Sequence, residues 1–171
     1  MVAFILLVQG DLLGQSKRVL YSVAAHTGNI PSYDIVFYVR AGNHQISGGY
    51  VTSNHSPGTV KVIVPGFNFG YRYYPRRSLS KFNGFFSADL FIQGYQSPDN
   101  QSTTVGVEWT YLFFGGGVKY SPIPRLFIEA AGGLGPGTYK YEEISPTGTI
   151  GSRPGSFQGS GRVGIGYQFN E

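Results

Sequence analysis

Large apolar residues recur at every second position through most of this chain, with small or polar residues between them. In the stretch FNFGYRYY, Phe67, Phe69, Tyr71 and Tyr73 share one parity, and Asn68, Gly70, Arg72 and Tyr74 share the other. The closing stretch GRVGIGYQFNE behaves alike: Val163, Ile165, Tyr167 and Phe169 alternate with Arg162, Gly164, Gly166 and Gln168. A period of two is that of a β-strand, whose side chains point alternately to opposite faces, and no helical stripe competes with it.

Beyond Lys17 the pattern divides into eight segments at 19–27, 34–41, 45–53, 59–74, 82–96, 103–120, 125–141 and 155–169, separated by turn-rich patches. In the fifth, Phe86, Ala88, Leu90 and Ile92 oppose Ser87, Asp89, Phe91 and Gln93. In the sixth, Val105, Val107, Trp109, Tyr111 and Phe113 oppose Gly106, Glu108 and Thr110. In the seventh, Leu126, Ile128 and Ala130 oppose Phe127, Glu129 and Ala131. One face is bulky and free of charge, while the other is small and carries the charges. A soluble barrel or sandwich does the reverse, with apolar side chains limited by interior space and charges plentiful outside. Small polar residues inside and large apolar ones outside suit a narrow barrel in lipid.

Composition points the same way. The 171 residues include 26 Gly, 13 Tyr and 13 Phe, a palette of turns and strands. Charged residues are 13% of the chain, about half the usual share for a soluble domain. The net charge of +4 is spread along the chain, Arg76-Arg77 being the densest pair, so nucleic acid is not indicated as a partner. With no Cys, thiol chemistry and Cys-ligated zinc are excluded. The opening MVAFILLVQGDLLG holds an apolar run about the length of a signal-peptide core, far short of the roughly 20 residues of a spanning helix. Residues 1–14 are therefore assigned as a signal peptide and 15–171 as one barrel domain.

The connections fall into two sets: Ala41-Gly42-Asn43, Tyr74 to Lys81 and Ser121 to Pro124 at one end, and gaps near 28–33, 54–58, 97–102 and 142–154 at the other. Up-and-down threading of an even number of strands places the sets at opposite ends and both termini together. Tyr and Trp concentrate where headgroups meet acyl chains. Tyr71, Tyr73, Tyr120, Tyr167 and Phe169 are assigned to one girdle, and Tyr50, Tyr95, Tyr139, Tyr141, Trp109 and Tyr111 to a second.

Eight alternating, aromatic-rich segments ending in VGIGYQF resemble the small OmpA/OmpX-like outer-membrane β-barrels of Gram-negative bacteria. The resemblance covers nearly all the chain after residue 15. It implies an all-β fold, an eight-stranded antiparallel up-and-down transmembrane β-barrel in the bacterial outer membrane. It also implies that the barrel-assembly machinery reads Val163, Ile165, Tyr167 and Phe169, although Asn170 and Glu171 depart from the pattern by following the terminal aromatic.

The motifs that carry chemistry elsewhere weigh little. Gly159-Ser160-Gly161-Arg162-Val163-Gly164 is a literal GxGxxG, but the seven residues after Gly164 are too few for the helix that a dinucleotide fingerprint needs. Gly115-Gly116-Gly117-Val118-Lys119 lacks P-loop spacing. His26, His44 and His55 sit near segment ends without metal-triad spacing and are assigned to surfaces or interfaces. Arg40, Arg72, Asp89, Glu108, Lys119, Glu129 and Arg162 are assigned to the lumen as a mutually paired network, because unpaired charges in a tight interior are costly. The sequence thus predicts a non-enzymatic, monomeric barrel with a side-chain-filled lumen, no cofactor and no metal. Its partners would be outer-membrane lipid, the assembly machinery and an extracellular ligand at its loops, and its role envelope structure or loop-borne binding. The alternatives are a lipid A acylase or deacylase using His55 and Ser56, a narrow pore, and a soluble β-barrel holding an apolar ligand.

Overall fold

A computed structural model describes residues 19–55, 62–75, 81–97, 104–144, 149–153 and 157–170. They form nine strands: β1 (Val19–Gly28), β2 (Tyr33–Ala41), β3 (His44–His55), β4 (Val62–Tyr73), β5 (Phe82–Ser97), β6 (Thr104–Ile123), β7 (Leu126–Ile144), β8 (Thr149–Arg153) and β9 (Phe157–Gln168). Seven of the predicted segments become β1 to β7, and the eighth becomes β9. Residues 149–153, read from sequence as connection, form the short β8 on the distal half of β7. The signal-peptide assignment at 1–14 lies outside the described residues.

Each strand from β1 to β7 pairs antiparallel with the next, and β9 closes the ring by pairing with both β7 and β1. The result is a closed eight-stranded antiparallel up-and-down barrel, with β8 and β9 sharing one stave. Closure gives every stave of the ring a partner on both sides over most of its length, which is what lets strands cross lipid with their backbone groups satisfied. The stagger follows from the register. Cross-strand partners of His26 run through Asp34, Val51 and Gly66 to Gln93 in one direction, and through Gly164, Glu129 and Lys119 to Asn83 in the other. The two routes meet β5 ten residues apart (93 − 83 = 10). With a rise of about 3.3 Å per residue and strands about 4.8 Å apart, that offset tilts the strands by roughly 40°, giving an interior that side chains fill.

Two turns at one end are tight. Gly42–Asn43 joins β2 to β3, and Gly42 takes the left-handed φ of 61° that glycine tolerates best. Pro124–Arg125 joins β6 to β7. Both described chain ends lie at this turn end. Asn170, which had no role in the sequence pattern, fastens β9 to β1 there: its Nδ2 donates to the Val19 carbonyl at 2.6 Å, and its Oδ1 accepts from the Tyr21 amide at 2.8 Å.

The outer face is apolar. Phe37, Phe86 and Phe67 are 61%, 63% and 60% exposed, and Ile35, Phe69, Phe114, Leu134, Val163 and Ile165 join them. Polar groups are inside instead, with Arg72 and Asn68 both at 0% exposure. Around the turn end, Tyr21, Tyr73, Phe82, Tyr120, Tyr167 and Phe169 all face outward. The sixth segment corrects the sequence reading. The β5–β6 ladder runs from Phe82↔Tyr120 to Ser97↔Val105 without a slip, so Trp109, Tyr111, Phe113 and Lys119 all share the inner face. Leu112 and Phe114 face outward. Trp109 and Tyr111 therefore belong to the lumen rather than to a girdle. The side chains of Tyr95, Val105, Val107, Tyr139 and Tyr141 lie outside the described ones.

Candidate functional site

The buried polar groups converge in the lumen, and Glu129 of β7 is their hub. Its Oε1 accepts from Arg72 Nη2 at 2.8 Å, from the Tyr38 hydroxyl at 2.9 Å and from His26 Nε2 at 2.6 Å. Its Oε2 accepts from Arg72 Nη1 at 2.9 Å, so the Arg72–Glu129 pair is bidentate, the strongest arrangement of these ions. The guanidinium of Arg72 also lies over the rings of Tyr38 and Phe85, 4.5 and 4.4 Å from their centroids. The other ring nitrogen of His26 meets Asp34, which is its cross-strand neighbour on β2. A neutral imidazole has one N–H, so both carboxylate contacts are made as hydrogen bonds only when both ring nitrogens carry protons.

Arg162 of β9 extends the chain of pairs. It donates to Asp34 Oδ2 at 3.3 Å and to Asp89 Oδ1 at 2.9 Å. Lys119 and Arg40 are held differently: Lys119 Nζ stands 3.7 Å from the Phe127 centroid, and Arg40 stacks 3.8 Å over Tyr74 while donating to the Gly42 carbonyl. The inner surface makes room for these groups with glycine. A Cβ at Gly164, between His26 and Glu129 in the ladder, would sit 2.1 Å from His26 Cδ2. A Cβ at Gly70 would sit 2.6 Å from Asp89 Oδ1, and one at Gly137 2.1 Å from the Tyr111 ring.

Toward the loop end the interior changes character. Val51, Val64, Phe91, Trp109, Tyr111 and Phe113 form one buried apolar cluster, with Ile30 of the β1–β2 loop packed against it. That loop is tied to the neighbouring strand β9: Asn29 Nδ2 donates to the Gly159 carbonyl at 3.0 Å, the Gly161 amide donates to Asn29 Oδ1 at 2.7 Å, and Ser160 Oγ donates to the Ile30 carbonyl at 2.9 Å.

No family profile matches the chain, and no curated protein sequence does. Among solved structures, the N-terminal β-barrel domain of Pseudomonas aeruginosa OprF is similar, with 15% identity and a TM-score of 0.54 over 88% of this chain and 96% of that one. The fold is that of an outer-membrane barrel. A major outer membrane protein from Thermus thermophilus also matches, at 15% identity and a TM-score of 0.49 over 89% of this chain and all of that one.

Within this barrel, six of the seven charges assigned to the lumen from sequence are buried there: Arg40, Arg72, Asp89, Lys119, Glu129 and Arg162. Glu108 is a correction. It is exposed, because the corrected parity of β6 turns it outward next to Lys140 across the β6–β7 ladder. His26 is a second correction, since it is buried at the centre of the lumen network rather than at a surface or interface. Asp34 and Tyr38 were missed. Their signal was present, because inward parity on the second segment puts Asp34, Val36, Tyr38 and Arg40 on one face. His44 stays on the outside, with Nδ1 against the Tyr71 hydroxyl at 2.7 Å. His55 and Ser56 fall outside the described side chains. Among the described residues, no group of three or more His, Asp or Glu is arranged to hold a metal ion. Val163, Ile165, Tyr167 and Phe169 all face outward on the closing strand.

Proposed function

We propose that this chain is a non-enzymatic bacterial outer-membrane protein whose lumen is closed by its own side chains. It contributes to envelope structure and displays the loops opposite the tight turns to the exterior. The observation that carries this reading is the inversion of polarity: among the described side chains, a mostly apolar, aromatic exterior surrounds a lumen filled by Arg72, Glu129, Tyr38, Phe91, Phe127 and Gln93, all under 2% exposed. A soluble protein would expose such a belt only as an aggregation hazard, whereas lipid requires it. In this reading residues 1–14 direct export, the outward ridge of Val163, Ile165, Tyr167 and Phe169 is read during assembly, and the folded barrel is a monomer. An extracellular ligand at the loops is part of the proposal.

Two measurements test it. Membrane fractionation with unboiled and boiled gel samples should place the protein in the outer membrane with a heat-dependent mobility shift, and recovery in the soluble fraction without a shift overturns the placement. Planar-bilayer recording of the refolded protein should show no steady conductance steps, whereas regular steps that disappear with the protein refute a closed lumen.

A further inference from the structure

Above the rung Gly66↔Gln93, β4 and β5 part. β4 continues through Pro65 to Val62 while paired only to β3, and β5 continues to Ser97 while paired only to β6. Among the described residues no other pair of neighbouring strands ends in such an open fork. Pro65, which has no N–H to offer a ladder, stands at the branch. Gln93 bridges the fork from inside: its Nε2 donates to the Val64 carbonyl at 3.2 Å and its Oε1 accepts from Ser53 at 2.9 Å. On the outer side the fork is flanked by exposed apolar residues, Ile63, Phe67 and Ile92.

The fork opens onto the apolar cluster. Val64 is a member, and Gln93 is the cross-strand partner of Trp109. The same compartment contains an unexplained polar group. Asn68, the cross-strand partner of Phe91, is wholly buried, and neither its Oδ1 nor its Nδ2 has a hydrogen-bond partner among the described residues. A buried side-chain amide without partners is rare in a settled core, and a bound molecule that offers one donor and one acceptor would satisfy it. Mostly apolar walls with one convergent donor and acceptor are the makeup of a small-molecule site. The fork lies in the barrel wall beside this cluster, so it gives the compartment a sideways path from the lipid phase.

We propose that the loop-end lumen is a binding compartment for a small, largely apolar molecule bearing one hydrogen-bonding group. The molecule enters laterally from the outer leaflet between β4 and β5, displaces Ile30 from the aromatic cluster and pairs with the Asn68 amide. Gln93 is the latch on the path. This inference rests on the membrane placement proposed above, which the heat-dependent gel shift of the same samples reports separately.

Trp109 is the sole tryptophan and a member of the cluster, so its fluorescence reads the site. The full chain is refolded into dimyristoyl phosphatidylcholine vesicles and titrated with 4-bromobenzamide, whose heavy atom quenches indole on contact. An exterior reporter, Leu112→Trp in a Trp109→Phe background, follows probe dissolved in the bilayer. Quenching of Trp109 should saturate while quenching of the exterior reporter rises in proportion to probe. Asn68→Leu should weaken the saturating phase about five- to tenfold, the worth of one or two hydrogen bonds, and leave quenching by 4-bromotoluene unchanged. Gln93→Ala should speed the approach to saturation. Unsaturable or absent quenching of Trp109 overturns the site, an unaltered Asn68→Leu curve overturns the role of the amide, and an unaltered rate in Gln93→Ala overturns the lateral path.

Discussion

Replacing Glu129 by Gln changes little in shape and much in charge. The carboxylate accepts four hydrogen bonds, two of them from Arg72, which is completely shielded from solvent. Gln keeps one carbonyl acceptor and turns an NH2 toward donors that had an anion before. Bonds to charged groups are worth about 1.5–3 kcal/mol each, but summing four would overcount, because the neighbours relax and share one acceptor group. The governing quantity is the Arg72 charge left inside without its counterion, for which breaking a buried pair costs about 3–5 kcal/mol. The rings of Tyr38 and Phe85 remain against the guanidinium in both proteins, so they do not change the difference. Urea titrations of the barrel in lipid vesicles, followed by gel mobility and by Trp109 fluorescence, should therefore show a loss of about 3–5 kcal/mol in Glu129→Gln. Adding Arg72→Met removes the stranded charge, and the double variant should regain most of that loss. A single-variant loss under about 1 kcal/mol, the range of solvated surface pairs, would mean that water reaches the pair and that the lumen is not filled.

Three further substitutions probe other parts of the argument. Leu112→Arg on the outward face of β6 should lower stability in lipid by about 2–4 kcal/mol if it lies near the bilayer midplane, and a neutral result would contradict the corrected parity. Gly164→Ala brings a methyl to 2.1 Å from His26 Cδ2 and 2.6 Å from the Ala25 carbonyl; urea titration should show a loss of about 1–3 kcal/mol, and His26→Ala in the same chain should return part of it. Asn170→Ala removes two bonds that tie the chain ends together, worth about 0.5–1.5 kcal/mol each, and hydrogen exchange at the Tyr21 amide should accelerate, whereas unchanged protection there would dismiss the clasp.

The strands were legible because a barrel wall has two environments and its residues alternate between them. β4, β5, β7 and β9 show this plainly, and their inward and outward sets are as the sequence divides them. β6 was misread because its outer side is apolar and its inner side meets the apolar cluster, so bulky residues occupy both parities from Trp109 to Phe114. Lys119 and Tyr120, on the same uninterrupted strand, hold the information that settles its phase, since a charge facing the lumen at 119 sends every odd residue of an unslipped ladder inward. His26 was misplaced for a different reason. A histidine between Ala25 and Thr27 looks like a strand end, and only the pairing with Asp34 across β2 and the reach over Gly164 to Glu129 make it central. Such contacts join residues 103 positions apart and follow from barrel closure, not from any local pattern.

The glycines then acquire a second meaning. In sequence they are consistent with turns, bends or a nucleotide loop, yet Gly66, Gly70, Gly137, Gly164 and Gly166 lie within strands, and a Cβ on each would strike a side chain of the adjoining strand, Gln93, Asp89, Tyr111, His26 and Phe127 in turn. Neighbouring strands are about 4.8 Å apart, and an eight-stranded ring leaves no room for Arg, His, Phe and Tyr to stand upright toward the axis. They must lie along the wall, over a residue that has nothing to displace. Bulk on one strand and glycine on the next are thus one packing decision, which explains how a chain rich in both can fill a narrow lumen without clashes. It also explains why the filling can differ along the axis. Where Gly164 and Gly70 make the space, the side chains laid over them are His26 and Asp89, members of the ion network. Where Gly137 makes it, the occupant is Tyr111, and the apolar compartment beside the β4–β5 fork begins.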